Sequence, residues 1–85
     1  MHYVYILKSL KDQRLYIGRT DHVQERLFEH ARGHVASTHY RRPLTLIYFE
    51  AYRDELDAKE REHNLKKSGS SYIGLKKRIK RSITE

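Results

Sequence analysis

The fold is decided by the stretch Tyr3-Val4-Tyr5-Ile6-Leu7, which is followed after a short polar segment by Leu15-Tyr16-Ile17-Gly18-Arg19. Both runs are rich in the β-branched and aromatic residues that are typical of strands. Residues 9–13 between them are polar and turn-like, so we expect a β-hairpin with strands over residues 2–8 and 14–19. The chain is therefore predicted to begin with an antiparallel pair of strands.

The patterns after this hairpin predict two kinds of element, amphipathic helices and one further strand. We expect a helix between Asp21, as part of a capping box with Gln24, and Gly33, a third strand over residues 44–52, a second helix capped by Asp54 and running through Lys67, and a basic amphipathic helix over about residues 71–83. The order β-β-α-β-α-α predicts an α+β fold with a three-stranded, mainly antiparallel sheet and flanking helices. Residues 1–85 are expected to form a single domain with one small core.

The composition excludes several classes of protein. Hydrophobic residues make up 38% of the chain and charged residues 34%, which indicates a globular domain rather than a disordered one. The absence of cysteine excludes disulfides and thiolate zinc sites and suits a reducing compartment. No segment resembles a signal peptide or is apolar enough to cross a bilayer. We therefore expect a cytoplasmic protein.

Positive charge is concentrated at the end of the chain. Residues 66–85 carry seven basic side chains and one acidic side chain, so this tail supplies +6 of the net charge of +7. A cationic strip attracts polyanions, either nucleic acid or an anionic membrane, whereas the plain alternative is a solvated helix face. A membrane-surface or protein-interaction domain is a competing interpretation, but the tail has no Trp or Phe on its apolar face.

Helical spacing places several reactive side chains together. Arg26 and His30 are four residues apart and should lie on one face of the first helix. On the second helix, Glu62 interrupts the apolar seam, while its neighbour Arg61 is expected on the solvent side. A carboxylate turned toward the core requires a cation or a metal. Glu62 is therefore a candidate metal ligand, and the structural alternative is a buried ion pair with Arg26 or Lys66.

Two triplets carry a resemblance to a known family. Tyr3-Val4-Tyr5 is followed by Tyr16-Ile17-Gly18, with Tyr5 and Tyr16 eleven residues apart, and then by Arg26, His30 and Glu62. This series resembles the GIY-YIG nuclease domain over nearly the whole chain, with Tyr-Val-Tyr in place of Gly-Ile-Tyr. It is similar in particular to the small stand-alone bacterial members related to the nuclease module of the excision-repair incision subunit.

The resemblance implies an active centre and a cofactor. Its catalytic residues are Tyr5, Tyr16, Arg26, His30 and Glu62, and Glu62 would hold a single Mg²⁺ or Mn²⁺ together with the scissile phosphate. Arg26 would contact the non-bridging oxygens. One tyrosine would help to deprotonate the attacking water, favoured by cationic surroundings that include a protonated His30, or His30 would relay the proton from the phenol. Which tyrosine is the base stays open.

The resemblance also implies a nucleic-acid partner. DNA is the expected substrate, with RNA as the alternative, and the activity is expected to be structure-specific and linked to repair or recombination. A module that binds nucleic acid without cleaving it is the competing interpretation. Residues expected to contact nucleic acid are Arg19, Tyr40 as a stacking platform, Arg41, Arg42, Lys66, Lys76, Lys77, Arg78, Lys80 and Arg81.

Three smaller features complete these expectations. Gly18 should leave room for the backbone to approach the phosphate. A second triplet, Tyr72-Ile73-Gly74, is interpreted as coincidence because it opens a predicted helix and lacks a partner tyrosine. Ser37 and Thr38 have no visible nucleophile-activating partner and are assigned to a loop without a role.

Overall fold

The computed structural model describes residues 1–84 and confirms the predicted α+β fold. Three antiparallel strands form one sheet in the order β2-β1-β3, namely β1 (His2–Ser9), β2 (Leu15–Thr20) and β3 (Leu44–Tyr52). The hairpin loop is closed by Ser9, whose amide donates to the Arg14 carbonyl at 2.9 Å. The predicted hairpin and third strand are therefore both present.

The central strand β1 is covered on both of its faces. Val4, Tyr5, Ile6 and Leu7 are each only 1% exposed. A continuous apolar run of this kind is expected where a strand has neighbours on both edges and layers on both faces. The side chains of β1 are therefore shielded from solvent on both faces of the sheet.

The Val4 and Ile6 face carries the hydrophobic core. Helix α2 (Glu55–Lys66) packs there through Ala58 and Leu65, which are 0% exposed. Asp54 caps α2 as predicted, since its Oδ1 accepts from the Leu56 amide at 2.8 Å. Burying these aliphatic side chains is the main favourable contribution to stability, at roughly 25 cal/mol per Å² of apolar surface.

The opposite face, which carries Tyr5, is covered by helix α1 (Val23–Ala31). The predicted capping box is wrong, because α1 begins after His22 without a side-chain cap and the Asp21 carboxylate instead contacts His2 Nδ1 at 2.6 Å. The Asp21 carboxylate therefore pairs with a side chain of β1 and does not accept from the amides of the first turn of α1. Gly33 ends the helix as expected, with a φ of 79°.

The basic tail forms two helices where one had been predicted. Helix α3 (Ser70–Arg78) and helix α4 (Lys80–Thr84) are divided at Ile79, whose φ and ψ are −108° and 28°. Ile79 is 8% exposed and belongs to the core, and α4 lies against β3. Lys8 on the neighbouring strand β1 donates from Nζ to the Ile83 carbonyl at 2.6 Å. Packing against the sheet thus overrides the continuous helical periodicity. Within residues 1–84, no helix is long and apolar enough to span a membrane.

Candidate active site

Tyr5 lies at the centre of the candidate site because the sheet register places it opposite a glycine. Tyr5 pairs with Gly18 on β2, and a Cβ at Gly18 would clash with Cζ and Oη of the Tyr5 ring. The absence of a side chain at Gly18 therefore makes room for the phenol. This is a different reason from the one expected, which was close approach of the backbone to a phosphate.

His30 connects the Tyr5 phenol to a loop threonine. Its Nε2 lies 2.8 Å from Tyr5 Oη, and its Nδ1 lies 2.7 Å from Thr38 Oγ1. His30 is 1% exposed and Thr38 is 0% exposed, so solvent does not compete for these contacts. A neutral imidazole carries one N–H, so it donates to one of these two partners and accepts from the other. The three groups form a short chain along which a proton can be held or passed.

Thr38 is a member of this buried chain that the sequence interpretation missed. It had been assigned to a loop without a role, yet its hydroxyl is buried against His30. Nothing in the spacing of eight residues between His30 and Thr38 signals this contact, because the intervening chain leaves α1 at Gly33 and returns. Only the path of the loop brings the hydroxyl to the ring.

Tyr16 completes a group of three rings. Its ring centroid lies 6.3 Å from that of Tyr5 and 5.2 Å from that of His30. Tyr5 is almost wholly buried, whereas Tyr16 is half-buried and reaches the surface. The predicted neighbourhood of the two signature tyrosines and the histidine is therefore present in the structure, with one phenol inside and one at the surface.

Arg26 supplies the positive charge of this group. It lies on the same side of α1 as His30, its side chain is 36% exposed, and Nη1 donates to Glu29 Oε1 at 3.4 Å. Contact with the Tyr5 phenol is the main cause that raises the pKa of Arg26. The guanidinium therefore faces both the phenol and solvent, where a phosphate oxygen can reach it.

Burial controls the protonation states at the centre. Burial raises the pKa of Tyr5 to about 12, although the neighbouring Arg26 acts in the opposite direction. Burial also lowers the pKa of His30, and the charge of Arg26 lowers it further. At neutral pH the phenol is therefore protonated and the imidazole is neutral. The expectation of a protonated His30 that would favour phenolate is wrong, because a buried imidazole beside a guanidinium resists a second positive charge.

Glu62 lies on α2, which packs on the face of the sheet opposite Tyr5. Its side chain is 22% exposed, with Oε1 3.6 Å from Arg19 Nε and Oε2 3.0 Å from Lys66 Nζ. Of the two expected ion-pair partners, Lys66 is present, and the second partner is Arg19 in place of Arg26. The pKa of Tyr5, raised mainly by burial, is raised further by the charge of Glu62, so the carboxylate lies within electrostatic reach of the phenol.

The arginine next to Glu62 is not on the solvent side as predicted. Arg61 is 28% exposed and forms a bidentate pair with Glu50, with Nε 3.0 Å from Oε1 and Nη2 3.0 Å from Oε2. The helical-wheel prediction failed because Glu50 projects from β3 under α2 and draws the guanidinium inward. Residues 61 and 62 thus anchor α2 on the two sides of its contact with the sheet.

The donor chemistry of Glu62 fits the divalent metal that the family resemblance implies. Mg²⁺ is commonly held by one or two carboxylates plus substrate phosphates and keeps several waters, and Mn²⁺ prefers the same oxygen donors. In the described part of the chain, one group of three His, Asp and Glu side chains brings its ligand atoms within 4.8 Å, namely His2, Asp21 and Glu55, and Glu62 is not in it. Water molecules and the substrate phosphate would therefore supply the remaining ligands of a metal bound by Glu62.

The residues expected to contact nucleic acid fall into different environments. Arg19 and Lys66 pair with Glu62, while Arg41 pairs with Asp12 at 3.1 Å and Arg42 donates to the His39 carbonyl at 2.9 Å. Tyr40 is 81% exposed. The tail cations are all exposed on α3 and α4, on the opposite face of the sheet from Tyr5: Lys76, Lys77, Arg78, Lys80 and Arg81.

Sequence similarity agrees with this geometry. The family of GIY-YIG catalytic domains matches residues 1–80. A UPF0213 protein of Clostridium perfringens is 43% identical over 68 residues, covering 79% of this chain and 72% of the relative. UPF0213 proteins of Staphylococcus haemolyticus and Natronomonas pharaonis are 42% and 41% identical over 66 residues, covering 76% of this chain and 79% and 76% of the relatives. No solved structure shows a significant match. The chain therefore belongs to the GIY-YIG catalytic domain family, a family of endonuclease domains.

Proposed function

We propose that this protein is a metal-dependent endonuclease that hydrolyses DNA phosphodiester bonds. The observation that carries the proposal is the buried chain from Thr38 through His30 to Tyr5, set beside Tyr16 and Arg26. Membership of a family whose domains generally depend on a divalent metal supports the metal requirement. A role in repair or recombination and a cytoplasmic location stay predictions from the sequence.

The protein's own groups account for charge stabilisation. Arg26 donates to non-bridging oxygens of the scissile phosphate and stabilises the negative charge that increases in the transition state. Its partial exposure leaves the guanidinium open to a phosphate, and its other partner, Glu29, is a surface residue of the same helix. Held by Glu62, a divalent metal would supply Lewis acidity at the phosphate and stabilise the leaving oxygen.

The same groups provide a route for the proton of the attacking water. When Nδ1–H of His30 donates to Thr38, Nε2 is free to accept the Tyr5 proton at 2.8 Å. The phenol oxygen can then take a proton from water as its own proton passes to the imidazole, so that no free phenolate accumulates. The imidazolium formed in this step is offset by the negative charge that develops on the phosphate. The raised pKa of Tyr5 makes this coupled transfer more favourable than prior ionisation of the phenol.

The test is cleavage of a panel of labelled DNA substrates, namely flap, branched, single-stranded and blunt duplex, with Mg²⁺, with Mn²⁺ and with chelator. Wild type should cut at least one substrate only with metal. Glu62→Gln removes the carboxylate charge at nearly constant volume, so it should abolish cutting while DNA affinity and melting temperature change little. Glu60→Gln is the matched control, because it removes an exposed carboxylate from the same helix and should retain cutting. Equal cleavage by wild type and Glu62→Gln would contradict the site assignment.

A further inference from the structure

A surface cavity beside the candidate active site has no role in the proposed reaction. Its volume is about 600 Å³, within the range of small-molecule sites, and its lining includes Lys11, His39, Tyr40, Arg42 and Pro43. We call it the Tyr40 cavity. None of the residues that line it is acidic, so the surface is suited to an anionic ligand.

Tyr40 presents an aromatic face that the fold does not use. The residue is 81% exposed, yet its backbone is fixed within a short 3-10 helix (His39–Arg41). Lys11 Nζ donates to the Tyr40 carbonyl at 3.1 Å, and the His39 ring stands nearly perpendicular to the Tyr40 ring, at 85° and 4.6 Å between centroids. An exposed ring on a fixed backbone can stack on a planar ligand at low entropic cost.

The two cations of the cavity are held against the backbone of the 3-10 helix. Arg42 donates from Nε to the His39 carbonyl at 2.9 Å, which holds its guanidinium beside the 3-10 helix. Lys11 is held by its contact with the Tyr40 carbonyl. An exposed ring in one cavity with two cations is the combination that binds single-stranded nucleic acid, in which bases stack on aromatic side chains and phosphates contact the cations.

Two residues that line the Tyr40 cavity, His39 and Tyr40, directly follow Thr38, the residue that contacts His30. Tyr40 follows Thr38 by two residues, and two residues span at most about 7 Å of chain. The Thr38 hydroxyl lies 2.7 Å from His30 Nδ1. The Tyr40 cavity and the hydroxyl that contacts His30 therefore belong to the same short segment of the chain.

We propose that the Tyr40 cavity binds one unpaired base, stacked on Tyr40, with an adjacent phosphate contacted by Lys11 and Arg42. The proposal rests on the proposed nuclease function for the identity of the polymer, and it specifies a substrate that contains a single-stranded segment. A base inside a duplex has both faces covered by its neighbours, so it cannot stack on a protein ring without leaving the helix.

The experiment measures DNA affinity without cleavage. Glu62→Gln protein is mixed with chelator and titrated onto a fluorescent single-stranded oligonucleotide and onto a blunt duplex at one fixed salt concentration. Adding Tyr40→Ala should weaken single-strand binding about 5- to 150-fold, the range that corresponds to removal of one stacked base. Tyr40→Phe should bind like its parent, and Tyr40→Leu should lose affinity like Tyr40→Ala, because it keeps apolar bulk without an aromatic face. Blunt-duplex affinity should stay within about twofold for all three.

The outcomes separate this proposal from the proposed function. Unchanged single-strand affinity in Tyr40→Ala, or an equal loss on duplex, would overturn the stacking site even if wild type cuts DNA. Cleavage of no substrate together with a Tyr40-dependent single-strand affinity would overturn the nuclease proposal and leave the binding site standing. Because the Tyr40 side chain is exposed, its variants should keep the parent melting temperature, and that measurement accompanies each titration.

Discussion

The two faces of the sheet each carry a tyrosine cluster, and the clusters differ in how their polar groups are satisfied. On one face, Tyr5 contacts the neutral His30 beside an Arg26 that is open to solvent. On the other, Glu50 accepts hydrogen bonds from two tyrosines and a bidentate pair from Arg61: Tyr48 Oη donates at 2.6 Å, Tyr52 Oη donates to Oε1, and Arg61 donates from two nitrogens.

The comparison shows why similar residues can have different uses. Burial is the main cause that raises the pKa of Tyr5, Tyr48 and Tyr52 to about 12, so a raised phenol pKa does not identify the reactive cluster. The Glu50 cluster has internal partners for its carboxylate oxygens and connects β3 to α2. The Tyr5 cluster keeps a partly exposed guanidinium, Arg26, and a half-buried phenol, Tyr16, both of which a substrate can reach.

Replacing the arginine of each face with alanine should give the largest and most divergent effects. Arg26→Ala removes a donor to the charge that develops on the phosphate and should lower the cleavage rate about 10²- to 10³-fold with little change in the free energy of unfolding. Arg61→Ala leaves Glu50 without the two guanidinium nitrogens that donate to it and should destabilise by about 1–3 kcal/mol. Cleavage kinetics and urea unfolding of both variants check this, and a stability loss larger in Arg26→Ala would reverse the two assignments.

Removing a phenol oxygen from each face is the next comparison. Tyr5→Phe breaks the contact with His30 Nε2 and should reduce cleavage about 10²-fold because the proton route is interrupted. Tyr48→Phe removes one hydrogen bond to Glu50 and should cost about 1 kcal/mol of stability while cleavage stays near wild type. Single-turnover rates below the melting temperature separate the two. Comparable rates in both variants would mean that the buried phenol is structural.

Alanine substitutions at the glycines of the two Tyr-Ile-Gly triplets should change stability and cleavage less than the substitutions above. A methyl group at Gly18 overlaps the Tyr5 ring, so Gly18→Ala should destabilise by about 1–3 kcal/mol and displace the phenol, which lowers cleavage as well. Gly74 lies in α3 with nothing within 4 Å of the position that a methyl group would take, so Gly74→Ala should be neutral or stabilising by up to about 1 kcal/mol. Thermal melts and cleavage assays check both, and a loss of activity confined to Gly74→Ala would move the active centre to the tail.

The tail allows a test of whether DNA reaches the Glu50 face. Lys77 and Lys80 are exposed there, and reversing both to Glu should weaken duplex binding and flatten the slope of log K against log salt by about 0.9 for each phosphate that is no longer neutralised. Titrations at four salt concentrations measure the slope. An unchanged slope would indicate that DNA does not contact Lys77 and Lys80 and binds on the Tyr5 face.

The smallest expected effect is a difference in the pH dependence of the two faces. Burial lowers the pKa of His30, so the unfolded chain binds the extra proton first and stability should fall as the pH drops from about 7 toward 5. Burial would raise the pKa of Glu50, but its bonds from Arg61 and the tyrosines outweigh burial and lower it, so its contribution should be lost only below about pH 4.5. Unfolding curves across both windows test this. His30→Gln should remove the upper dependence and Glu50→Gln the lower one.

Much of the fold followed from local signals. The strand runs, the Asp54 cap and the Gly33 terminus were predictable because each is encoded within a few neighbouring residues. The capping box at Asp21 and the single tail helix were wrong, since a distant partner, His2, and the packing of Ile79 decided them. Local helix propensity carries no information about hydrogen-bonding or packing partners that are far away in the sequence.

The sequence by itself determined which side chains stand at the spacing of a GIY-YIG domain and that the tail carries most of the net charge. Tertiary structure alone decided that Thr38 meets His30, that Arg61 turns inward to Glu50 and that Tyr40 remains exposed. The physical reason is that hydrogen-bond partners and burial are set by how loops and layers pack. That packing determines which phenol is buried, which imidazole stays neutral and which arginine remains exposed enough for a phosphate to reach.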